Sequence, residues 1–367
     1  MTGRIWPNGR VALATAALAL GLAACGSSSN NTTTTTTSAP AGTTSATTSA
    51  TTSATTGSSS SAGKFKVGLV TDIGGLNDRS FNHLAFVGLT RAEQQLGITG
   101  KVLTSSSGAD YLPNMTTLAR QGYNLIIPVG FLMGPDLATV AKAFPSEKFA
   151  IVDFPAEAVT GKPKNVEGLL FEEQQAGYLA GSLAGLYAKE HGYKTISSVG
   201  GQKVPAVDHY IAGYQAGAKA ADPGITTLNQ YSQDFVAQDK CKTIALNQIQ
   251  QGSKVVFQVA GGCGLGALSA AQQQGVQGIG VDADQSYLGS FILTSAEKKV
   301  DNAVFSAIQS AMHGQFAGGT DVINNIANGG VSYGTIGPAG LKFSPQIAKI
   351  YADIKSGKIS NIPNTVP

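Results

Sequence analysis

From residue 64 onward, short apolar runs alternate with stretches whose apolar positions recur every three or four residues. Phe65-Lys-Val-Gly-Leu-Val-Thr71 reads as a strand, followed by turn residues and a helix over 81–96. A strand over 101–105, a helix over 111–121, the run Leu125-Ile-Ile-Pro-Val129, a helix over 136–144 and a strand over 148–153 continue the series. After a proline-bounded break at 155–163 the rhythm resumes. Strands are predicted over 166–171, 195–199, 226–231, 255–260, 278–282 and 291–294. Helices fall over 172–190, 207–221, 239–251, 266–274 and 298–313, with a last short run over 331–336. Apolar runs this short, separated by amphipathic helices, predict parallel sheets covered on both faces. We read two doubly wound α/β lobes, one from 64–158 plus 296–320 and the other from 159–295 plus 321–367. At 367 residues the chain is long enough for two cores.

The first 63 residues follow other rules. Arg4 and Arg10 precede the apolar run Val11-Ala-Leu-Ala-Thr-Ala-Ala-Leu-Ala-Leu20, which ends in Leu22-Ala-Ala-Cys-Gly26. A basic head, a short apolar stretch and small residues before a cut site make an export signal. The Leu-Ala-Ala-Cys ending resembles the bacterial lipobox, in which Cys25 would receive a lipid and become the new N-terminus. Residues 26–63 are almost entirely Ser, Thr, Ala, Gly and Asn, with no charge and no large apolar side chain. Such a segment cannot bury enough surface to offset its ordering entropy, so it is expected to be a flexible tether. Together these features predict a protein anchored to the extracytoplasmic face of the cell membrane without spanning it. Composition narrows the partners. Formal charge is only +3, and two of the 25 basic residues lie in the leader. That balance argues against nucleic acid, whose phosphates need clustered Lys and Arg.

Open parallel sheets bind ligands beyond the carboxyl ends of their strands. The first strand ends in Asp72-Ile-Gly-Gly-Leu-Asn-Asp-Arg-Ser-Phe-Asn82. Asp72 offers acceptors, Asn82 both donors and acceptors, and Phe81 a flat apolar face. The same loop can simply cap the next helix through Asn77, Asp78 or Ser80. Asp153 and Asp282 end two further strands, where a carboxylate can accept two hydrogen bonds from a vicinal diol; helix capping or an ion pair is the plainer role. Lys298 is either a cleft donor or part of a solvated helix face. Phe235, in the polar loop Ser232-Gln-Asp-Phe-Val-Ala-Gln-Asp-Lys240, is a stacking candidate or packs on its own lobe.

No catalytic set assembles, so no enzyme activity and no cofactor or metal is expected. His83, His191, His209 and His313 lack metal-ligand spacing, and Gly-x-Ser-x-Gly does not occur. Gly262-x-Gly264-x-x-Ala267 lies between a strand and a helix, with Asp282 twenty positions past Gly262, as in a dinucleotide site. An exported, tethered protein has little access to such a cofactor, and the same glycines admit any polar ligand close to the backbone. Cys241 and Cys263 fall in one lobe. Outside the cytoplasm they can pair, and a disulfide is expected over two free buried thiols.

Between about 64 and 336 the chain resembles the basic membrane lipoprotein family, which includes the purine nucleoside receptors of ABC transporters. The resemblance rests on Asp72-x-Gly-Gly-x-x-Asp-x-Ser-Phe-Asn82, Phe171-Glu-x-x-x-Ala-Gly-x-Leu-Ala-Gly181, Ala260-Gly-Gly-x-Gly-x-Gly266, Gly280-Val-Asp-x-Asp-Gln285 and Thr294-Ser-x-x-Lys298. It implies the type I periplasmic binding protein fold, two lobes joined by a hinge of several crossings. It implies that Phe81 and Phe235 clamp a purine whose edge Asp72 and Asn82 hydrogen-bond. Asp153, Asp282 and Lys298 would hold the sugar hydroxyls, with Gly261 and Gly262 close by. Asn77 is a further candidate, and Tyr210, where the family usually has phenylalanine, would be a second aromatic wall. The implied function is a lipid-anchored binding protein that delivers a purine nucleoside to an ABC permease. The alternative keeps the scaffold and changes the ligand to a sugar, a riboflavin-like compound or a signal molecule, or makes the protein a sensor.

Overall fold

The computed structural model describes residues 64–366; the leader, Cys25 and the tether lie outside them. In chain order the described residues form β1 (Lys66–Val70), α1 (Phe81–Leu96), β2 (Thr99–Leu103), α2 (Tyr111–Arg120), β3 (Leu125–Pro128), α3 (Gly134–Ala143), β4 (Lys148–Val152) and β5 (Val166–Phe171). Next come α4 (Glu173–Glu190), β6 (Thr195–Gly200), α5 (Pro205–Ala221), β7 (Thr226–Tyr231), α6 (Gln238–Gln250), β8 (Ser253–Val259), α7 (Gly261–Gln273), β9 (Gln277–Asp282) and β10 (Ile292–Lys298). The chain ends with α8 (Val300–Met312), β11 (Asp321–Asn324), β12 (Val331–Tyr333) and α9 (Ser344–Lys355).

The strands build two sheets of six, ordered β11-β5-β4-β3-β1-β2 and β12-β10-β9-β8-β6-β7. Position for position the orders are the same. All pairings are parallel except β10 with β12. The apolar alternation inside each strand explains the layers. In β3, Leu125 and Ile127 enter the main core, whereas Ile126 between them enters a second cluster with Met115 and Leu137. Side chains of successive strand residues point to opposite faces, so each sheet buries both.

The chain passes between the lobes three times: from β5 into α4, from β10 into α8, and from β11 to β12. Each crossing lies past the boundary expected for it. Residues 166–171 and 321–324 were placed in the second lobe, but β5 pairs with β4, and β11 with β5, in the first sheet. Residues 296–298, placed in the first lobe, finish β10 of the second sheet. β10 is also longer than expected, and α7 begins at Gly261 rather than 266.

Helix α4 is laid on α5 through a stripe of small residues. A Cβ on Gly177 would run into the Tyr210 carbonyl, and one on Gly181 into that of Tyr214; Gly213 and Gly217 meet the α4 backbone in return. Only hydrogen fits at these crossings. The close approach fixes α5, and with it Tyr210, against the crossing helix.

Candidate functional site

The carboxyl ends of both sheets border a cavity with about 670 Å³ of open space, its mouth to solvent included. Asp72, Phe81, Asn82 and Asp153 line it from the first lobe, and Tyr210, Phe235, Gly261, Gly262, Asp282 and Lys298 from the second. Asn77 does not. It borders a separate depression with Arg79 and α7, because the turn at Gly75 carries it away from the strand end. Phe131, which packs on Phe154 with centroids 5.1 Å apart, is a further aromatic wall. Its surroundings in the sequence, Val129-Gly-Phe-Leu-Met, read only as a strand running into a turn.

The loop after β1 divides its labour. The Asp78 carboxylate accepts hydrogen bonds from the amides of Ser80 (3.0 Å), Asn82 (2.7 Å) and His83 (3.1 Å) and so caps α1. Asn82 braces the loop: its Nδ2 donates to Asp72 Oδ1 (2.7 Å) and Asp78 Oδ2 (3.1 Å), and its Oδ1 accepts from the Asp72 amide (3.1 Å). Both amide hydrogens of Asn82 are thus spent inside the protein. Asp72 also accepts from the Gly74 amide through Oδ1 (3.0 Å). Among the described residues no donor reaches its Oδ2. Burial pushes its carboxyl up to about 6, against the lowering effect of Asn82 and Gly74.

Asp153 follows β4 and Asp282 ends β9, the corresponding fourth strands of the two lobes in chain order. Both sit in left-handed backbone, with φ of 66° and 60°, which non-glycine residues adopt at a cost of about 1–2 kcal/mol. Each is gripped from the other lobe. Ser80 Oγ lies 2.7 Å from Asp282 Oδ2, and Lys298 Nζ lies 2.6 Å from the Asp153 carboxylate. Lys298, on β10 and 1% exposed, also contacts Glu173 Oε1 at 2.8 Å, and His209 Nδ1 lies 2.9 Å from Glu173 Oε2. It is therefore a buried cleft cation and not part of a solvated helix face. Its ammonium is 5.1 Å from the Phe81 ring centroid and 4.8 Å from that of Phe171.

Charge in this cluster is uneven, one ammonium against three carboxylates. Burial opposes the charge on Lys298, but Asp153, Glu173 and Asp282 outweigh it and hold the group protonated. Glu173 is raised by burial yet held below the usual range by Lys298 and His209. Asp153 goes the other way: burial pushes it up, Lys298 pulls it down, and Glu173 adds to the rise. Asp282 is raised by burial. The site has acceptors in excess, suited to a guest rich in N–H and O–H groups and unsuited to an anion.

In the second lobe, Phe235 packs over Gly201, where a Cβ would strike its ring. Its carbonyl accepts from the Cys263 amide at 3.0 Å, so the loop is tied to the first turn of α7 beside Gly261 and Gly262. Cys263 is disulfide-bonded to Cys241, joining α7 to α6. Glycines of this stretch serve packing: Gly264, from the dinucleotide-like motif, makes room for the Gln258 side chain, and the neighbouring Gly266 for the Gln238 backbone. Sequence reasoning missed Glu173 and Ser80, buried residues that hold Lys298 and Asp282 from behind the cavity lining. Glu173 lies inside the quoted Phe171-Glu-x-x-x-Ala-Gly motif, and Ser80 reads as a helix cap although its hydroxyl leaves the cap to Asp78.

Two lobes joined by three crossings, with a polar and aromatic cavity between their strand ends, define a solute-binding protein that closes on a small molecule. Residues 65–360 match the family of PnrA-like ABC transporter substrate-binding proteins, and the chain belongs to that family. It is 35% identical over 317 residues to the ABC transporter nucleoside-binding protein BmpA of Lactococcus lactis, covering 80% of this chain and 88% of that one. It is also 35% identical over 283 residues to an uncharacterized lipoprotein of Pyrococcus furiosus, covering 74% and 70%. An ABC transporter solute-binding protein of Aeropyrum pernix shares the fold with a TM-score of 0.73 and 26% identity, covering 82% of this chain and 94% of that chain. The protein is a non-enzymatic substrate-binding protein of an ABC transporter, with a small-molecule ligand and a permease partner. Among the described residues no helix is long and apolar enough to cross a membrane.

Proposed function

We propose that this protein is a lipid-anchored extracytoplasmic receptor that binds a purine nucleoside between its lobes and presents it to an ABC importer. The observation that carries the reading is the lining of the cavity at the strand ends: aromatic faces from both lobes together with an excess of buried carboxylates. Phe81 and Phe235 stack on the base, each contact contributing about 1–3 kcal/mol. Asp72 Oδ2 accepts from a base N–H, and Asn82 holds Asp72 in place. Asp153 and Asp282 accept from the sugar hydroxyls, Lys298 donates to one of them, and Gly261 and Gly262 let the ligand approach the backbone. The surplus of acceptors favours a neutral nucleoside over its phosphorylated form. The name of the Lactococcus relative supports the ligand class. The lipobox at Cys25 and the relative named as a lipoprotein support the anchor. Mass spectrometry of small molecules released from the purified, denatured protein tests the ligand: a purine nucleoside is expected, and a sugar or flavin in its place refutes the assignment.

A further inference from the structure

We propose that Tyr210 is a positioning residue that sets the sugar specificity of the cleft, by fixing Asp282 as a two-sided acceptor for a cis-diol. The inference rests on the nucleoside reading and goes beyond it, since it concerns which sugars are accepted. Tyr210 is 2% exposed, and its hydroxyl donates to Asp282 Oδ1 at 3.1 Å. Its ring stands edge-on to Phe257, with centroids 6.2 Å apart. Its backbone is pinned where α5 crosses Gly177. The hydroxyl therefore has little freedom to follow Asp282 if the carboxylate turns.

The other oxygen of Asp282 is held from across the cleft. Ser80 Oγ has one hydrogen and two acceptors in reach, Asp282 Oδ2 at 2.7 Å and the Val281 carbonyl at 3.2 Å. The nearer, charged acceptor takes the hydrogen. A carboxylate has about four acceptor sites, two on each oxygen. Tyr210 and Ser80 each fill one, which leaves one on Oδ1 and one on Oδ2. That is the pair a vicinal diol uses. The two hydroxyls differ in one respect: Ser80 moves away with its lobe when the cleft opens, whereas Tyr210 belongs to the same lobe as Asp282. Tyr210 thus orients the carboxylate before a guest arrives. Without its hydroxyl, Asp282 is free to rotate about its soft terminal torsion and adapt to a single hydroxyl. Discrimination between a diol and a lone hydroxyl then falls.

The test is calorimetric titration of the purified full-length protein and of Tyr210→Phe and Ser80→Ala with inosine, 2′-deoxyinosine and 3′-deoxyinosine. The wild type is expected to prefer inosine to either deoxy analogue by at least about 10-fold, the loss of one hydrogen bond to a charged group. Tyr210→Phe, which removes one oxygen and keeps the ring, should weaken inosine about 10-fold while moving the deoxy analogues less than about 3-fold. Ser80→Ala should weaken all three alike. If Tyr210→Phe keeps the wild-type preference, or lowers all three affinities equally, the role of Tyr210 is overturned and the nucleoside reading stands. If the wild type binds inosine and both deoxy analogues equally well, Asp282 is not at the sugar and the inference fails for that reason. Wild-type indifference to all three overturns the nucleoside reading and this inference with it.

Discussion

Asp72 should be a residue that the fold would be better without. Its side chain is 9% exposed, and burial raises its carboxyl from 3.8 to about 6. The native state therefore binds this proton more tightly than the unfolded chain does. Stability from that proton is full below pH 3.8, declines as pH rises, and is gone above about 6. At ~1.4 kcal/mol per pH unit, the interval amounts to about 3 kcal/mol of native-state destabilisation at neutral pH. Asp72→Asn removes it while preserving shape: the new Oδ1 still accepts from Asn82 and from the Gly74 amide. Urea or thermal unfolding of both proteins from pH 3 to pH 8 isolates the effect, because every other titrating group is common to the pair. The variant should match the wild type at pH 3 and exceed it by up to about 3 kcal/mol at pH 7, or about 6–12 °C in Tm. Nucleoside affinity should fall about 10-fold or more, since an amide N–H now faces the cavity where an acceptor stood. A variant less stable than wild type by the same amount at every pH would refute the reasoning.

Three other changes probe the frame. Lys298→Met leaves Asp153 and Glu173 without their shared cation, and chemical denaturation should register a loss of about 3–5 kcal/mol. Because Lys298 is held protonated above its ordinary 10.5, its contribution is full below pH 10.5 and disappears at higher pH, so the gap from the variant should close there. Gly181→Val forces a side chain into the Tyr214 carbonyl and should cost about 1–3 kcal/mol or more in thermal unfolding, with ligand affinity falling as Tyr210 shifts. Replacing Cys241 and Cys263 by serine opens a link between residues 22 apart, expected to lower stability by about 3 kcal/mol; unchanged denaturation under reducing and oxidising conditions would contradict the bond's stabilising role.

What the sequence disclosed depends on how local each signal is. Leu125-Ile-Ile-Pro and Val166–Phe171 are apolar enough to be strands in any surroundings, and the structure makes them β3 and β5. Which sheet β5 joins is decided by pairing with β4, a contact no local pattern encodes. β11 carries Asp321 and Asn324, with Val322 and Ile323 partly exposed at the sheet edge. It therefore lacks the alternation that marks a half-buried strand. The pattern ends β10 at 294 because Ser295, Glu297 and Lys298 beyond it are polar. They are buried all the same, with Lys298 satisfied by Asp153 and Glu173 from distant positions. The start of α7 is glycine-rich, which local propensity reads as loop, whereas close packing against Gln238 and Gln258 requires those glycines. At the cavity, strand-end aspartates were legible because parallel sheets place their ligands there. The division of roles inside 72–82, with Asp78 capping and Asn82 bracing, was not, since any of several polar side chains in that loop can reach the helix end.

The most direct measurement is calorimetric titration of the purified protein with inosine, adenosine, guanosine, ribose and riboflavin, repeated on Phe81→Ala and Phe235→Ala. The account predicts one site that takes a purine nucleoside, ignores ribose and riboflavin, and loses about 1–3 kcal/mol of binding with each ring removed. Saturation by ribose or riboflavin with no response to any nucleoside, or nucleoside binding indifferent to both rings, would contradict it.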